Sequence, residues 1–303
     1  MTAGSGPAIR INGLTKYYGA VIGIEDLSLE VARGEVYGFL GANGAGKTTT
    51  IRLLLDLLRP TSGSASILGF DCHRQGLDVR RRLGYLPAEM PMYPDQTGAG
   101  YLAFLSALGP PPSRARLDVL FHRFNVSNLD LRRKMRDYSH GMKRKLGLVQ
   151  ALMTEPPVLV LDEPTSGLDP LMIEAFAETI DELARAGRTT VLLSSHVLSE
   201  VDRVCTRIGL VRNGRLSAVQ TLSELRAMTP RRLTVQFSRP TDALPPPSSA
   251  WTIVAREPQR WVLDVRGPIG ALVSTLSGLP VADITLEPYA AEDALLRFFT
   301  DAP

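Results

Sequence analysis

Gly41-Ala-Asn-Gly-Ala-Gly-Lys47-Thr48-Thr49 decides how the rest of this 303-residue chain is read. It fits the pattern G-x-x-x-x-G-K-[ST], with a second threonine following. Val36 to Leu40 reads as a short buried strand running into it, and Ile51 to Leu55 as the helix that follows. The motif needs that context. Glycines let successive backbone N–H groups turn inward around phosphate, and a helix N-terminus adds partial positive charge. Gly41, Asn43, Gly44, Ala45, Gly46 and Thr49 are then phosphate-loop contacts. Lys47 reaches the β- and γ-phosphates, and the Thr48 hydroxyl is placed to bind Mg²⁺. The plainer reading is a glycine-rich turn with an exposed lysine. A strand before and a helix after argue for the phosphate loop.

Composition sets few limits. Hydrophobic residues make up 44% and charged residues 21%, both ordinary for a globular protein. With 34 basic against 31 acidic residues the net charge is +3, too weak to point to nucleic acid. No run approaches the ~18 consecutive apolar residues of a membrane span, and Met1 to Ala8 does not resemble a signal peptide. The two cysteines, Cys72 and Cys205, lack metal-ligand or redox-pair spacing, so reduced thiols are expected. His73, His122 and His140 show no metal-like spacing either.

Ile9 to Leu14 and Ile24 to Val31 alternate like antiparallel strands, and a turn at Arg33-Gly34 leads into the phosphate-loop strand. Pro60-Thr-Ser-Gly63 marks another turn, before a strand over Ser64 to Leu68. From about 97 to 155 the pattern is helical: Tyr101 to Leu108, Arg114 to Phe124 and His140 to Met153. Apolar strands return at Val158 to Leu161, Thr190 to Ser194 and Ile208 to Val211, with a helix over Pro170 to Ala186 between the first two. This alternation predicts an α/β fold whose mainly parallel sheet is covered by helices. The first domain is expected over 1–225. Residues 226–303 read as a small α+β domain: strands at Leu233 to Phe237, Trp251 to Arg256 and Trp261 to Val265, a loop at Leu244 to Ser249, a helix starting at Pro268, a strand over Val281 to Leu286 and a helix over Ala290 to Phe299. Two tryptophans and this periodicity disfavour a disordered tail.

A second motif lies where nucleotide chemistry requires one. Val158 to Leu161 delivers Asp162-Glu163 at the C-terminal end of a buried strand, the edge where α/β sheets bind ligands. Asp162 suits Mg²⁺, and Glu163 is placed to polarise an attacking water. A solvated acidic turn is the alternative, and the Pro164-Thr-Ser-Gly-Leu-Asp169 that follows makes it the weaker one.

Leu159-Val-Leu-Asp-Glu-Pro-Thr-Ser-Gly-Leu-Asp-Pro170 resembles the Walker B and D-loop run of ABC-transporter nucleotide-binding domains, which are P-loop NTPases. The family's other landmarks follow in order. Tyr18, in Lys16-Tyr-Tyr-Gly19, matches the aromatic that stacks on adenine. Tyr138-Ser-His-Gly-Met142 matches the signature sequence, and His196, in Ser194-Ser-His196, the switch histidine. The resemblance spans residues 9 to about 225. It implies ATP and Mg²⁺ as ligands and a twofold dimer of nucleotide-binding subunits. Each nucleotide would be clamped between Lys47 of one chain and Ser139, Gly141 and Met142 of the other. Glu163 would activate water, His196 would contact the γ-phosphate, and Asp169 would sit at the dimer seam.

Two positions depart from the family. His140 replaces a signature glycine, though Ser139 and Gly141 remain. The glutamine of the family's Q-loop aligns with Ala88, in Gly84-Tyr-Leu-Pro-Ala88-Glu89, which has no polar side chain. Glu89 is the nearest substitute and Gln96 lies further along; the alternative is that Glu89 is an exposed loop charge. The basic runs Arg132-Arg-Lys134 with Arg136, and Lys143-Arg-Lys145, flank the signature. They read first as solvated faces and second as contacts to phosphate or to a partner's acidic loop.

The reading that follows is an ATP-hydrolysing subunit working with a separate membrane permease on the cytoplasmic face of the membrane. The small C-terminal domain, running into Thr285-Leu-Glu-Pro-Tyr-Ala-Ala-Glu-Asp-Ala-Leu-Leu-Arg297, resembles the drug- and antibiotic-exporter branch. A soluble ABC ATPase would normally carry two cassettes in one chain, and DNA-repair relatives insert long coiled coils between Lys47 and Asp162, which are absent here. A nucleotide-gated binding module with little turnover is the remaining rival.

Overall fold

The computed structural model describes residues 6–90, 93–224, 231–241, 243, 250–266 and 269–288. The chain forms two compact units, Met1–Val219 and Gln220–Pro303.

In the first unit, β1 (Ile9–Tyr18) and β2 (Val21–Val31) pair antiparallel around the turn between them. Alternation buries Ile9, Ile11, Ile24, Leu27, Leu29 and Val31, as a half-buried sheet demands. β3 (Val36–Leu40) follows, then α1 (Lys47–Leu54), β4 (Ser62–Ile67), β5 (Phe70–Asp71), α2 (Gly76–Arg80) and β6 (Leu83–Leu86). Four short helices come next: α3 (Gly98–Ser106), α4 (Arg114–Arg123), α5 (Asn128–Arg132) and α6 (His140–Leu152). Each starts on a threonine or serine whose side chain accepts a backbone N–H of the first turn. The Tyr101 hydroxyl, on α3, donates to Gln150 on α6 at 2.6 Å. The unit closes with β7 (Val158–Asp162), α7 (Pro170–Ala186), β8 (Thr190–Ser195), α8 (Leu198–Val204), β9 (Arg207–Arg212) and β10 (Arg215–Thr221).

The central sheet has the order β10-β9-β3-β8-β7-β6. Its inner strands β3, β7 and β8 are buried at every position, which is why they read as unbroken apolar runs. Pairing is parallel between β3 and β8, β3 and β9, β7 and β8, and β6 and β7. Each fully buried Leu or Val on these strands contributes roughly 1.5–3 kcal/mol. The register sets the site: Leu40 pairs with Ser195 and Asp162 with Ser194. The chain therefore leaves three adjacent strands at one edge, into Gly41, into Glu163 and into His196.

α7 buries Met172, Phe176, Thr179 and Ile180, spaced for one helical stripe. Asp169 caps it by accepting the Met172 N–H at 3.0 Å, Pro170 opens it, and Gly187 ends it at φ 65°.

The second unit pairs β11 (Arg231–Phe237), β12 (Trp251–Glu257), β13 (Arg260–Val265) and β14 (Val281–Pro288) antiparallel, in the order β12-β13-β11-β14. A helix over Gly270–Leu276 buries Leu272 and Leu276 in a core with Leu233, Val235 and Trp251. The Phe237 and Trp261 rings meet edge to face at 4.8 Å. The loop expected over Leu244 to Ser249, the Pro268 start of the helix and the helix expected over Ala290 to Phe299 lie outside the described residues.

The sequence pattern does not reveal α2, α5, α8, β6 or β10. The five residues of α2 and of α5 are too few for a helical period to emerge, and β6 contributes only four residues with a glycine among them. Both cysteines are free and buried, and burial pushes the Cys72 thiol up to about 12, so it stays protonated.

Candidate nucleotide site

The loop from Gly41 to Gly46 turns on Gly46, whose φ of 110° and whose contact with the Gly23 carbonyl exclude a side chain. Ala42, Asn43 and Gly44 form its exposed rim, while Ala45, Gly46 and Lys47 are buried beneath. Lys47 starts α1 and folds back over the loop, donating from Nζ to the carbonyls of Gly41 at 2.6 Å and Ala42 at 3.3 Å. The loop is anchored where the Gly41 N–H donates to Ser195 O at 3.2 Å and the Gly214 N–H to Ala45 O at 3.0 Å.

The acidic pair closes the site from β7. Thr48 Oγ1 donates to Asp162 Oδ2 at 2.8 Å, and Ser194 Oγ donates to Oδ1 at 2.5 Å. Asp162 is completely buried, and these two hydroxyl donors satisfy both of its carboxylate oxygens. Glu163 follows with φ 51°, an uncommon backbone for a residue with a side chain, held by its N–H donating to Ser194 O and Oγ. That geometry turns its carboxylate toward two other groups. Oε1 lies 3.3 Å from Lys47 Nζ, and Oε2 lies 2.8 Å from His196 Nδ1. Nearby, burial pushes the Tyr85 phenol up to about 12, helped by the Asp162 charge, so it stays neutral.

Lys47, Thr48, Asp162, Glu163 and His196 thus meet, as the motif spacing leads one to expect. Tyr18 is half-exposed, with Lys16 Nζ 5.5 Å from its ring centre. A Cβ on Gly23 would meet its ring at 2.8 Å, and a Cβ on Gly46 would meet the Gly23 carbonyl at 2.8 Å, so the ring stands beside the loop. Ser139, Gly141 and Met142 do not join this cluster. Ser139 caps α6 by accepting the Met142 N–H at 3.2 Å, and Gly141 packs against the Gly167 carbonyl. Among the described residues no hydrogen bond or ion pair links Ser139, Gly141 or Met142 to Gly41–Thr49. Asp169 caps α7, with Lys145 Nζ at 4.0 Å.

Three features escape sequence reasoning. Ser194 orders both acidic residues; its sequence signal is a serine one position before Ser195-His196 at a strand end. The conformation of Glu163 has no sequence signal. The third corrects the reading of Lys143-Arg-Lys145 as a solvated face. Arg144 is 1% exposed. Its Nη1 donates to Pro87 O at 2.6 Å and Ala88 O at 3.3 Å, and its Nη2 to Asp162 O at 2.9 Å and to Glu163 O. The helical period reveals it, because Arg144 shares a stripe with the buried Gly147, Leu148 and Ala151. The other run behaves as a solvated face: Arg132, Arg133, Lys134 and Arg136 are exposed, and Arg136 pairs with Asp95 at 3.0 Å. Glu89 is exposed and makes no hydrogen bond or ion pair among the described residues.

Thr48 and Asp162 offer two hard oxygen donors at one point. That set fits Mg²⁺, which takes one or two protein oxygens and completes its shell with phosphates and water.

Residues 24–166 match the family model described as ABC transporter. The chain is 42% identical over 225 residues to the daunorubicin resistance ATP-binding protein DrrA3 of Streptomyces coeruleorubidus, covering 73% of this chain and 71% of that one. It is 34% identical to the bacitracin transport ATP-binding protein BcrA of Bacillus licheniformis, covering 76% and 75%. A solved ATP-binding subunit of an ABC transporter superposes with a TM-score of 0.67 at 33% identity, covering 72% of this chain and 92% of that one. The dimeric post-hydrolysis cassette MJ0796, bound to ADP and phosphate, shares the fold with a TM-score of 0.65 at 20% identity, over 71% of this chain and 98% of that one.

Proposed function

The chain belongs to the ABC transporter family of ATP-binding subunits, and from that premise we propose that it drives export of a drug-, antibiotic- or lipid-like compound through a separate membrane permease. Its reaction is the hydrolysis of ATP. It works as a dimer on the cytoplasmic face of the membrane, with two ATP sites each built from both chains. One observation carries the dimer. Lys47, Asp162, Glu163 and His196 converge at one sheet edge, whereas Gly141 lies against the Gly167 carbonyl and the exposed Ser139 caps its own helix, an N-terminus left for a phosphate elsewhere.

In this reading the Gly41–Thr49 loop and Lys47 bind the phosphates of ATP, and Tyr18 stacks on the base. Thr48 and Asp162 hold Mg²⁺, which neutralises phosphate charge when bound. Lys47 exchanges its contact with Glu163 for a phosphate oxygen. The released Glu163 oxygen then orients or deprotonates water, while His196 keeps the other oxygen aligned and senses the γ-phosphate. Signature residues of the second chain complete the charge on the phosphoryl group, and the Asp169 side chains meet at the seam. The export assignment is supported by relatives described as daunorubicin resistance and bacitracin transport ATP-binding proteins. Among the described residues no helix is long and apolar enough to cross a membrane.

The test is to express the chain with a candidate permease from its own genome and to measure ATP-driven accumulation of an anthracycline in inverted membrane vesicles. Accumulation that disappears with Lys47→Ala is expected. A chain that never associates with membranes, and whose turnover is indifferent to any permease, would contradict the proposal. ATP binding without turnover would favour a nucleotide-gated module.

A further inference from the structure

Arg144 is a buried cation whose partners are all main-chain carbonyls. It projects from α6 and reaches two separate segments, Pro87-Ala88 after β6 and Asp162-Glu163 at the end of β7. No carboxylate lies within ion-pair range of its guanidinium among the described residues, and its Nε has no hydrogen-bond partner there. Burying a charge is costly, and here the cost is offset by four main-chain carbonyls that an apolar side chain would leave without this donor. The planar guanidinium does something an apolar residue cannot: it fixes two peptide planes from one rigid fork.

Arg144 is also one of four contacts on a single helical face. His140, Gly141, Arg144 and Lys145 all project toward the loop that begins at Glu163. The His140 ring packs on Gly167 so closely that no Cβ fits there, and a Cβ on Gly141 would lie 2.9 Å from Gly167 O. Lys145 Nζ lies 4.0 Å from Asp169 Oδ2. The helix whose N-terminus carries Ser139 is therefore clamped along one face to the segment from Glu163 to Asp169.

We propose that Arg144 is a positioning residue that sets the backbone of Glu163, so that the placement of the water-activating carboxylate follows the placement of the signature helix. The inference rests on the assignment of Glu163 to water activation. Its consequence is a link inside one chain. α6 serves the nucleotide held by the other subunit, Glu163 serves the chain's own, and the guanidinium joins them. Arg144 also grips the carbonyl of Ala88, so this segment is tied to the site through its main chain although it lacks a polar side chain at that position.

A double-mutant cycle tests this. Single-turnover ATP hydrolysis and ATP binding are measured for wild type, Arg144→Gln, Glu163→Gln and the double variant. Arg144→Gln is expected to lower the rate tenfold or more, with the Kd for ATP changed less than threefold. In the Glu163→Gln background the same substitution is expected to cost less than threefold. Equal losses in both backgrounds, or an Arg144→Gln chain that turns over like wild type, would overturn the proposal. Wild-type turnover by Glu163→Gln would instead remove the assignment on which it rests. If Arg144→Gln does not fold, Arg144→Lys keeps the charge but not the fork, and the same cycle is read on it with the same outcomes.

Discussion

Thr48 and Asp162 stand 114 residues apart in sequence, yet the Thr48 hydroxyl donates to the Asp162 carboxylate at 2.8 Å. This contact joins the first turn of α1 to the end of β7, and it exists because β8 lies between β3 and β7 in the sheet. The pair is the proposed Mg²⁺ seat. Thr48→Ala and Asp162→Asn are each expected to lower ATP turnover by about 10²-fold or more and to raise the Mg²⁺ concentration needed for half-maximal rate. Magnesium titrations of steady-state turnover check this; an unchanged requirement would remove both residues from the metal.

Glu163 has the opposite signature. Glu163→Gln keeps the size of the side chain and its reach to Lys47 but removes the base. Single-turnover hydrolysis is expected to fall by roughly 10²–10⁴-fold while ATP binding is retained. A loss of binding in step with the rate would mean that Glu163 serves mainly to hold Lys47.

The packing of His140 on Gly167 makes a stability prediction. Gly167 has φ 77° and no room for a Cβ against the His140 ring. Gly167→Ala is expected to destabilise the chain by about 1–3 kcal/mol through strained backbone and overlap together. Combining it with His140→Gly should recover the overlap and leave the backbone strain. Denaturant unfolding of the two single variants and the double variant reads the coupling. Purely additive losses would show that the two residues do not share this space.

Glu89 tests the departure at Ala88. We propose that Glu89 partly replaces the missing glutamine, since it is the nearest ionisable side chain in that segment. Glu89→Ala is then expected to lower steady-state ATP turnover in the assembled transporter. Wild-type turnover and transport would make Glu89 an exposed loop charge.

Much of the fold is legible because burial writes itself into composition. Val158 to Leu161 and Thr190 to Ser194 are strands covered on both faces, so nearly every position is apolar. The spacing around Lys47 and Asp162 is legible because phosphate and metal chemistry demand particular atoms at strand ends. What stays hidden depends on tertiary contact. Arg144 lies in a run of three basic residues whose neighbours are partly exposed, and only the stripe through Gly147, Leu148 and Ala151 marks it as inward-facing. His140 looks like a loss of signature glycine until its ring is seen against Gly167. Ser194 is an ordinary strand-end serine until the register sets it beside Asp162. The unusual backbone of Glu163 is imposed by Ser194 and Arg144, from segments distant in sequence.

The central claim is that each ATP site needs two chains, and sedimentation velocity of the Glu163→Gln chain tests it most directly. With Mg²⁺ and ATP this variant is expected to sediment as a dimer holding two ATP molecules, and with ADP as a monomer. Gly141→Glu in the same background, which sets a carboxylate where the phosphate would be bound, is expected to remain monomeric with ATP. A Glu163→Gln chain that saturates with ATP yet stays monomeric would contradict the account.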